Sequence, residues 1–109
     1  MLAPVIEEKK DEIAEVCRKH RIQALWVFGS ATNDRFDPAT SDVDVLVDLG
    51  EYSSDYASRF FGTMHELEEI LDRPVDLLTV NSLSNPYFRE EVEETRVLVY
   101  GSPDTEAAA

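Results

Sequence analysis

An α/β (α+β) domain is what the sequence predicts: one small sheet of about four strands with helices packed against it. Three observations predict it. Four short apolar runs of strand length recur at Ala24–Phe28, Val43–Val47, Val75–Val80 and Val97–Val99. Segments with apolar residues every three or four positions precede the first run and separate later ones. The 109 residues suffice for one domain with a modest core and leave no room for a second of ordinary size. Residues 1–100 are expected to form that domain, and residues 101–109 a flexible tail.

The elements follow in order. Pro4 to His20 reads as one helix. Pro4 suits a first turn, and Ile6, Ile13, Val16 and Cys17 share a face. Acids crowd the early turns and Arg18, Lys19 and His20 end it, as the helix dipole prefers. Gln23 to Phe28 is a strand covered on both faces, because its apolar run is nearly continuous. Gly29-Ser30 stops it, with Ser30 able to cap a helical turn. Ala31 to Thr40 is polar, and Asn33, Asp34, Asp37 and Pro38 supply turn chemistry. Ser41 to Leu49 is a second strand, ended by Gly50. Ser53 or Ser54 caps a helix to Leu71 whose apolar positions are Ala57, Phe60, Phe61, Met64, Leu67 and Leu71. Arg73 to Val80 is a third strand, entered through Pro74. Asn85 caps a short helix with Pro86 at its first position, running to Glu94. Arg96 to Tyr100 is a fourth strand. Strand direction stays open at this level. Trp26, Phe60 and Phe61 are expected in the core, as is Cys17. Tyr87 and Phe88 are read as core before partner groove, and Glu90, Glu91, Glu93 and Glu94 as a solvated helix face. His20 and His65 lack metal-ligand company and are read as surface or helix-end residues.

Composition narrows the function. Twenty-three acids against ten bases leave a formal charge of −13. Residues 1–50 contribute −4 and residues 51–109 contribute −9. Such a surface repels phosphate backbones, which argues against direct nucleic-acid binding. It attracts a basic protein, and divalent cations wherever carboxylates converge. No apolar run is long enough for a membrane span, and the N-terminal residues lack the apolar segment of a signal peptide. The lone Cys17 excludes an internal disulfide and a multi-cysteine metal cage. A cytoplasmic protein is expected.

The chemistry concentrates in two stretches. Asp42 and Asp44 stand at i and i+2 of a strand, on one side and about 6.5–7 Å apart. They interrupt an apolar run, and burying either without a partner is costly. Either that face is wet and binds nothing, or a cation resolves the repulsion. Hard oxygen donors then select Mg²⁺ or Mn²⁺. Asp76 begins the next apolar strand, so three aspartates at neighbouring strand ends could share one site. That is charge enough for two metal ions of the kind used in displacement at phosphorus. Gly29-Ser30, after a buried strand, offers backbone N–H groups and a hydroxyl to a phosphate.

Gly29-Ser30, then Ser41-Asp42-Val43-Asp44, with Asp76 downstream, resembles the nucleotidyltransferase superfamily built on the DNA polymerase beta core. Residues 5–100 resemble its minimal members, the MNT proteins. The Phe28-Gly29-Ser30 lead-in, Asp72-Arg73-Pro74-Val75-Asp76-Leu77 and Asn85-Pro86-Tyr87-Phe88-Arg89 support this. The resemblance implies a small mixed sheet and a Mg²⁺-dependent transferase that moves AMP from ATP to a partner's hydroxyl, a tyrosine by preference. The partner would be a HEPN-type toxin, this chain its antitoxin, and the two a hetero-oligomer. Gly29 and Ser30 would hold the triphosphate, and Asp42 and Asp44 both Mg²⁺ ions. Asp76 would complete one metal site and help deprotonate the acceptor. Many relatives carry an arginine and a glycine soon after Gly-Ser. Here Ala31-Thr32-Asn33-Asp34 stands instead, so either Arg35 takes that role or the contact is lost. The alternative function is an inactive acidic antitoxin that neutralises a basic toxin by covering it.

Overall fold

A computed structural model of the chain describes residues 3–32, 42–82 and 85–101, and of Ser30, Ala31 and Phe88 the backbone alone. The turn residues Asn33 to Thr40, Arg35 and Ser41 among them or beside them, lie outside the described residues, as do residues 102–109. The elements are α1 (Pro4–Glu8), α2 (Lys10–Lys19), β1 (Ala24–Phe28), β2 (Val43–Asp48), α3 (Tyr56–Leu71), β3 (Val75–Thr79), α4 (Pro86–Thr95) and β4 (Val97–Gly101). Short 3₁₀ turns cover Gly29–Thr32 and Val80–Ser82.

The sheet is mixed, in the order β3-β2-β1-β4. β1 lies antiparallel to both β2 and β4, and β2 parallel to β3. The parallel pair needs a crossover, which α3 supplies. Alternation divides the strand residues between two faces. On one face Leu25, Val27, Val45, Val47 and Leu77 pack with Ile13, Val16 and Cys17 of α2 and Leu67 and Leu71 of α3. On the other, Ala24, Trp26, Phe28 and Leu46 pack with Val92 of α4. β1 is buried throughout, as its apolar run predicts. Arg96 places its guanidinium 5.0 Å over the Trp26 ring, a cation–π contact on the α4 side.

Several local expectations change. The first helix is two helices, because at Lys9 the chain tightens and the Lys9 N–H donates to Ile6 O, three residues back. Ile6 and Ile13 are both buried on either side of that break. α3 starts at Tyr56, with Asp55 rather than Ser53 or Ser54 at the N-cap position, where its side chain makes no capping hydrogen bond. Ser53 acts one step earlier: its hydroxyl donates to Asp55 at 2.6 Å and its carbonyl accepts the Tyr56 N–H at 3.1 Å. Asn85 caps α4 as expected, its Oδ1 accepting the Tyr87 N–H at 2.9 Å. Gly101 belongs to β4, not to a tail.

Phe61 is 52% exposed and Tyr87 84% exposed, so neither is core. Tyr87 lies five residues before Val92, the buried residue of α4, which puts it roughly 140° round the helix. Phe60 is half-buried, while Trp26 and Cys17 are core. Burial pushes the Cys17 thiol up to about 12, consistent with an inert packing role.

Arg59 is the buried charge that the periodicity did not reveal. It is 8% exposed. Its guanidinium donates to His20 O at 2.8 Å, Arg21 O at 2.7 Å and Leu49 O at 2.9 Å. It thereby ties α3 to the turn after α2 and to the end of β2. No described helix is long and apolar enough to cross a membrane.

Candidate active site

The sheet register assembles the site. Phe28 faces Asp44 across the antiparallel pair, and Asp44 faces Asp76 across the parallel pair. Asp44 is therefore the middle member of a row running from the end of β1 to the start of β3. Asp42 precedes β2 by one residue and, by alternation, lies on the same side as Asp44 and Leu46. Leu46 belongs to the Trp26–Phe28–Val92 cluster, and Leu78, two residues after Asp76, packs against it. The three carboxylates thus lie at one end of the sheet, on the face that α4 covers.

Their exposure differs. Asp42 and Asp76 are exposed and Asp44 is half-buried. Burial first, and then the charges of Asp76, Asp42 and Glu91, together push the Asp44 carboxyl up from 3.8 to about 6. A half-buried carboxylate facing three others is electrostatically unsatisfied, and a cation relieves that. Among the described residues no three ligating side chains are gathered closely enough to hold a metal ion. The aspartates share an end and a face of the sheet without forming a closed cage. Their donor set is nonetheless all carboxylate oxygen, the chemistry that Mg²⁺ takes.

The Gly29 turn touches this row. Gly29 has φ of 71°, a left-handed conformation that favours glycine. A Cβ at this position would collide with Oδ2 of Asp44. Backbone and carboxylate are in direct approach, and only the absence of a side chain permits it. The Thr32 hydroxyl donates to Gly29 O at 2.7 Å and closes the 3₁₀ turn. Ser30 follows in that turn, and its hydroxyl lies outside the described residues. Arg35 does too, so its stand-in role for the missing arginine is not placed.

α4 supplies what the sequence did not signal. The Gly29 N–H donates to Oγ1 of Thr95 at 3.3 Å, and the Thr95 hydroxyl donates to Glu91 O at 3.1 Å. Glu91 is exposed, as a solvated helix face requires, and its charge also bears on Asp44. A hint was available in the sequence. Val92 is the one apolar residue in a run of acids, so α4 had to turn that part of its surface to the sheet.

The rest of the titratable surface stands apart. His20, at the C-terminal end of α2, contacts Glu66 of α3, and Lys19 pairs with the same carboxylate at 3.0 Å. His65 is exposed. His20 thus stands at a helix end and His65 on the surface, where their sequence context puts them.

Comparison with known proteins follows the same outline. A family model described as Nucleotidyltransferase domain matches residues 10–99. A protein of Methanocaldococcus jannaschii, provisionally named a protein adenylyltransferase, is 33% identical over 97 residues, covering 81% of this chain and 95% of its own. A structure described provisionally as a minimal nucleotidyltransferase superposes with a TM-score of 0.70 at 24% identity, over 89% of this chain and 95% of that one. The structure of a tri-AMPylated HEPN toxin of Shewanella oneidensis in complex with an MNT antitoxin matches with a TM-score of 0.66 at 18% identity, over 94% of this chain and 77% of that one. At such identities the solved structures establish the shared fold.

Proposed function

The chain belongs to the nucleotidyltransferase domain family, and on that premise we propose that it transfers AMP from ATP to a hydroxyl of a partner protein. The partner we propose is a basic HEPN-type toxin, its acceptor a tyrosine, and this chain its antitoxin, acting in the cytoplasm. One observation carries the proposal above the others. Asp44 lies between the Gly29 backbone and Asp76, so a phosphate held at the turn would lie beside the carboxylate row.

In this reading Asp42, Asp44 and Asp76 would hold two Mg²⁺ ions. When bound, they supply Lewis-acid stabilisation of the attacking and leaving oxygens. The chain's own residues do the rest. The turn that Gly29 begins presents backbone N–H groups and the Ser30 hydroxyl to the triphosphate. Asp76, exposed at the start of β3, takes the proton of the acceptor hydroxyl. The hydroxyl oxygen bonds to the α-phosphorus, the bond from that phosphorus to the pyrophosphate oxygen breaks, and pyrophosphate leaves. The charge of −13 favours a protein acceptor over a nucleic acid, since the chain repels polyphosphate backbones.

The test is intact mass spectrometry of the co-expressed HEPN-type protein. Wild type should add one or more AMP masses and Asp42→Asn none. A toxin left unmodified, yet neutralised equally by both forms, would sink the enzyme reading and leave a covering antitoxin.

A further inference from the structure

The outer edge of β3 is one of the two open edges of the described sheet. Among the described residues β3 pairs with β2 alone. Its sequence Val-Asp-Leu-Leu-Thr carries no lysine and no proline, the residues that commonly blunt an edge strand. Beside it runs a groove of about 370 Å³, walled by Tyr56, Phe60 and Phe61 of α3 and by Leu77 and Leu78 of β3. Leu77 and Leu78 are consecutive, so they point to opposite faces of the sheet. A groove that both line reaches round the edge of the strand. Phe61 is 52% exposed and Tyr52 85% exposed, with Tyr52 stacked on Tyr56 at 5.1 Å.

We propose that this groove receives an extended, apolar segment of a basic partner protein, laid along the β3 edge as a fifth strand. The proposal rests on the reading that the chain acts on a protein partner, and it assigns the surface where that partner docks. The Val75 N–H donates to Glu68 at 3.1 Å and the Thr79 carbonyl accepts from the Ser82 hydroxyl at 2.8 Å, so strand addition would draw its affinity from the edge groups between them, while alternate side chains enter the aromatic groove.

Charge selects the occupant. Residues 51–82, which build this edge, hold seven acids and two arginines; Asp55 is paired with Arg21 and Glu66 with Lys19 and His20, so Glu51, Glu68, Glu69, Asp72 and Asp76 carry the edge's negative charge. Both arginines are engaged with backbone of the same chain: Arg59 donates to three carbonyls, and Arg73 Nε donates to Leu71 O at 3.1 Å. A second copy would bring the same five carboxylates against these five. Residues 102–109, Ser-Pro-Asp-Thr-Glu-Ala-Ala-Ala, are acidic and lack alternating large apolar residues. They also follow β4, at the opposite edge. A segment flanked by lysine or arginine meets the chemistry that these two do not.

The experiment titrates a purified basic HEPN-type toxin, the partner proposed above, into wild type, Phe61→Asp and Ala57→Arg. Both positions are exposed, so the fold should hold, and circular dichroism with Mg²⁺–ATP binding checks each sample. Both variants should weaken partner binding at least tenfold at unchanged nucleotide affinity. Wild-type affinity should fall as salt rises. Amide exchange at Leu77 and Thr79, whose N–H groups share the outward side with Val75, should slow at least tenfold in the complex. Variants that bind like wild type, or Leu77 and Thr79 amides left unprotected, overturn the proposal and leave the transferase reading intact. Self-association of wild type that Phe61→Asp abolishes overturns it in favour of a second copy. Tighter partner binding after removal of residues 102–109 overturns it in favour of the chain's own tail. A wild type that binds no HEPN-type protein overturns the docking surface together with that partner, and its Mg²⁺–ATP binding then reports separately on the nucleotide site.

Discussion

Replacing Asp44 with asparagine should stabilise the metal-free protein at neutral pH. The Asp44 carboxyl is pushed up from 3.8 to about 6 by burial and by Asp76, Asp42 and Glu91. A raised carboxyl disfavours the folded state once it ionises. Its stability contribution is fully present below the unfolded value of 3.8, and is lost as pH rises through about 6. At 1.36 kcal/mol per pH unit, the displacement would be worth roughly 3 kcal/mol for a fully buried group. Asp44 is only half-buried, and solvent screening reduces that to about 1 kcal/mol. Asparagine keeps the shape and removes the charge. Urea unfolding of both proteins at pH 5 and pH 8, without divalent cations, isolates the effect as a double difference in which the other acids cancel. Asp44→Asn should be more stable by about 1 kcal/mol at pH 8, and that gain should be smaller at pH 5. Work below pH 5 is avoided because the pI is near 4.3. A variant less stable than wild type by the same amount at both pH values would refute the reasoning, since it would make Asp44 a structural residue rather than a strained one.

Three further outcomes follow from the geometry. Gly29→Ala should cost at least about 1–2 kcal/mol in urea unfolding from the left-handed backbone alone and should abolish Mg²⁺–ATP binding in calorimetry, because its Cβ drives into Asp44; unchanged binding would place the phosphates elsewhere. Thr95→Val removes the acceptor of the Gly29 N–H and should weaken ATP binding about fivefold, for about 1 kcal/mol, with Thr95→Ser restoring it; a loss that serine fails to rescue would count against the hydroxyl. Arg59→Ala strands three backbone carbonyls and should lower stability by about 3 kcal/mol, read as a Tm fall of more than about 10 °C; a small change would mean that water replaces the guanidinium.

Periodicity and turn chemistry determined much of this protein without further help. The apolar run Ala24–Phe28 could only be a strand buried on both faces. Asn85-Pro86 could only open a helix, and Asp42-x-Asp44 with Asp76 could be singled out because carboxylates interrupting apolar strands need a reason. Those signals are local, and local physics reads them. Tertiary structure decided what depends on contacts between distant segments. Strand direction and the order β3-β2-β1-β4 come from how two faces are covered at once, which no single segment encodes. The row Phe28–Asp44–Asp76 exists only through register. Thr95 and Glu91 reach it because Val92 turns α4 onto the sheet. Phe61 fits the apolar stripe of α3 by spacing, yet stands in water, because the sheet ends at β3. An amphipathic helix records which residues would be buried by a neighbour, and only the assembled sheet determines whether a neighbour is there.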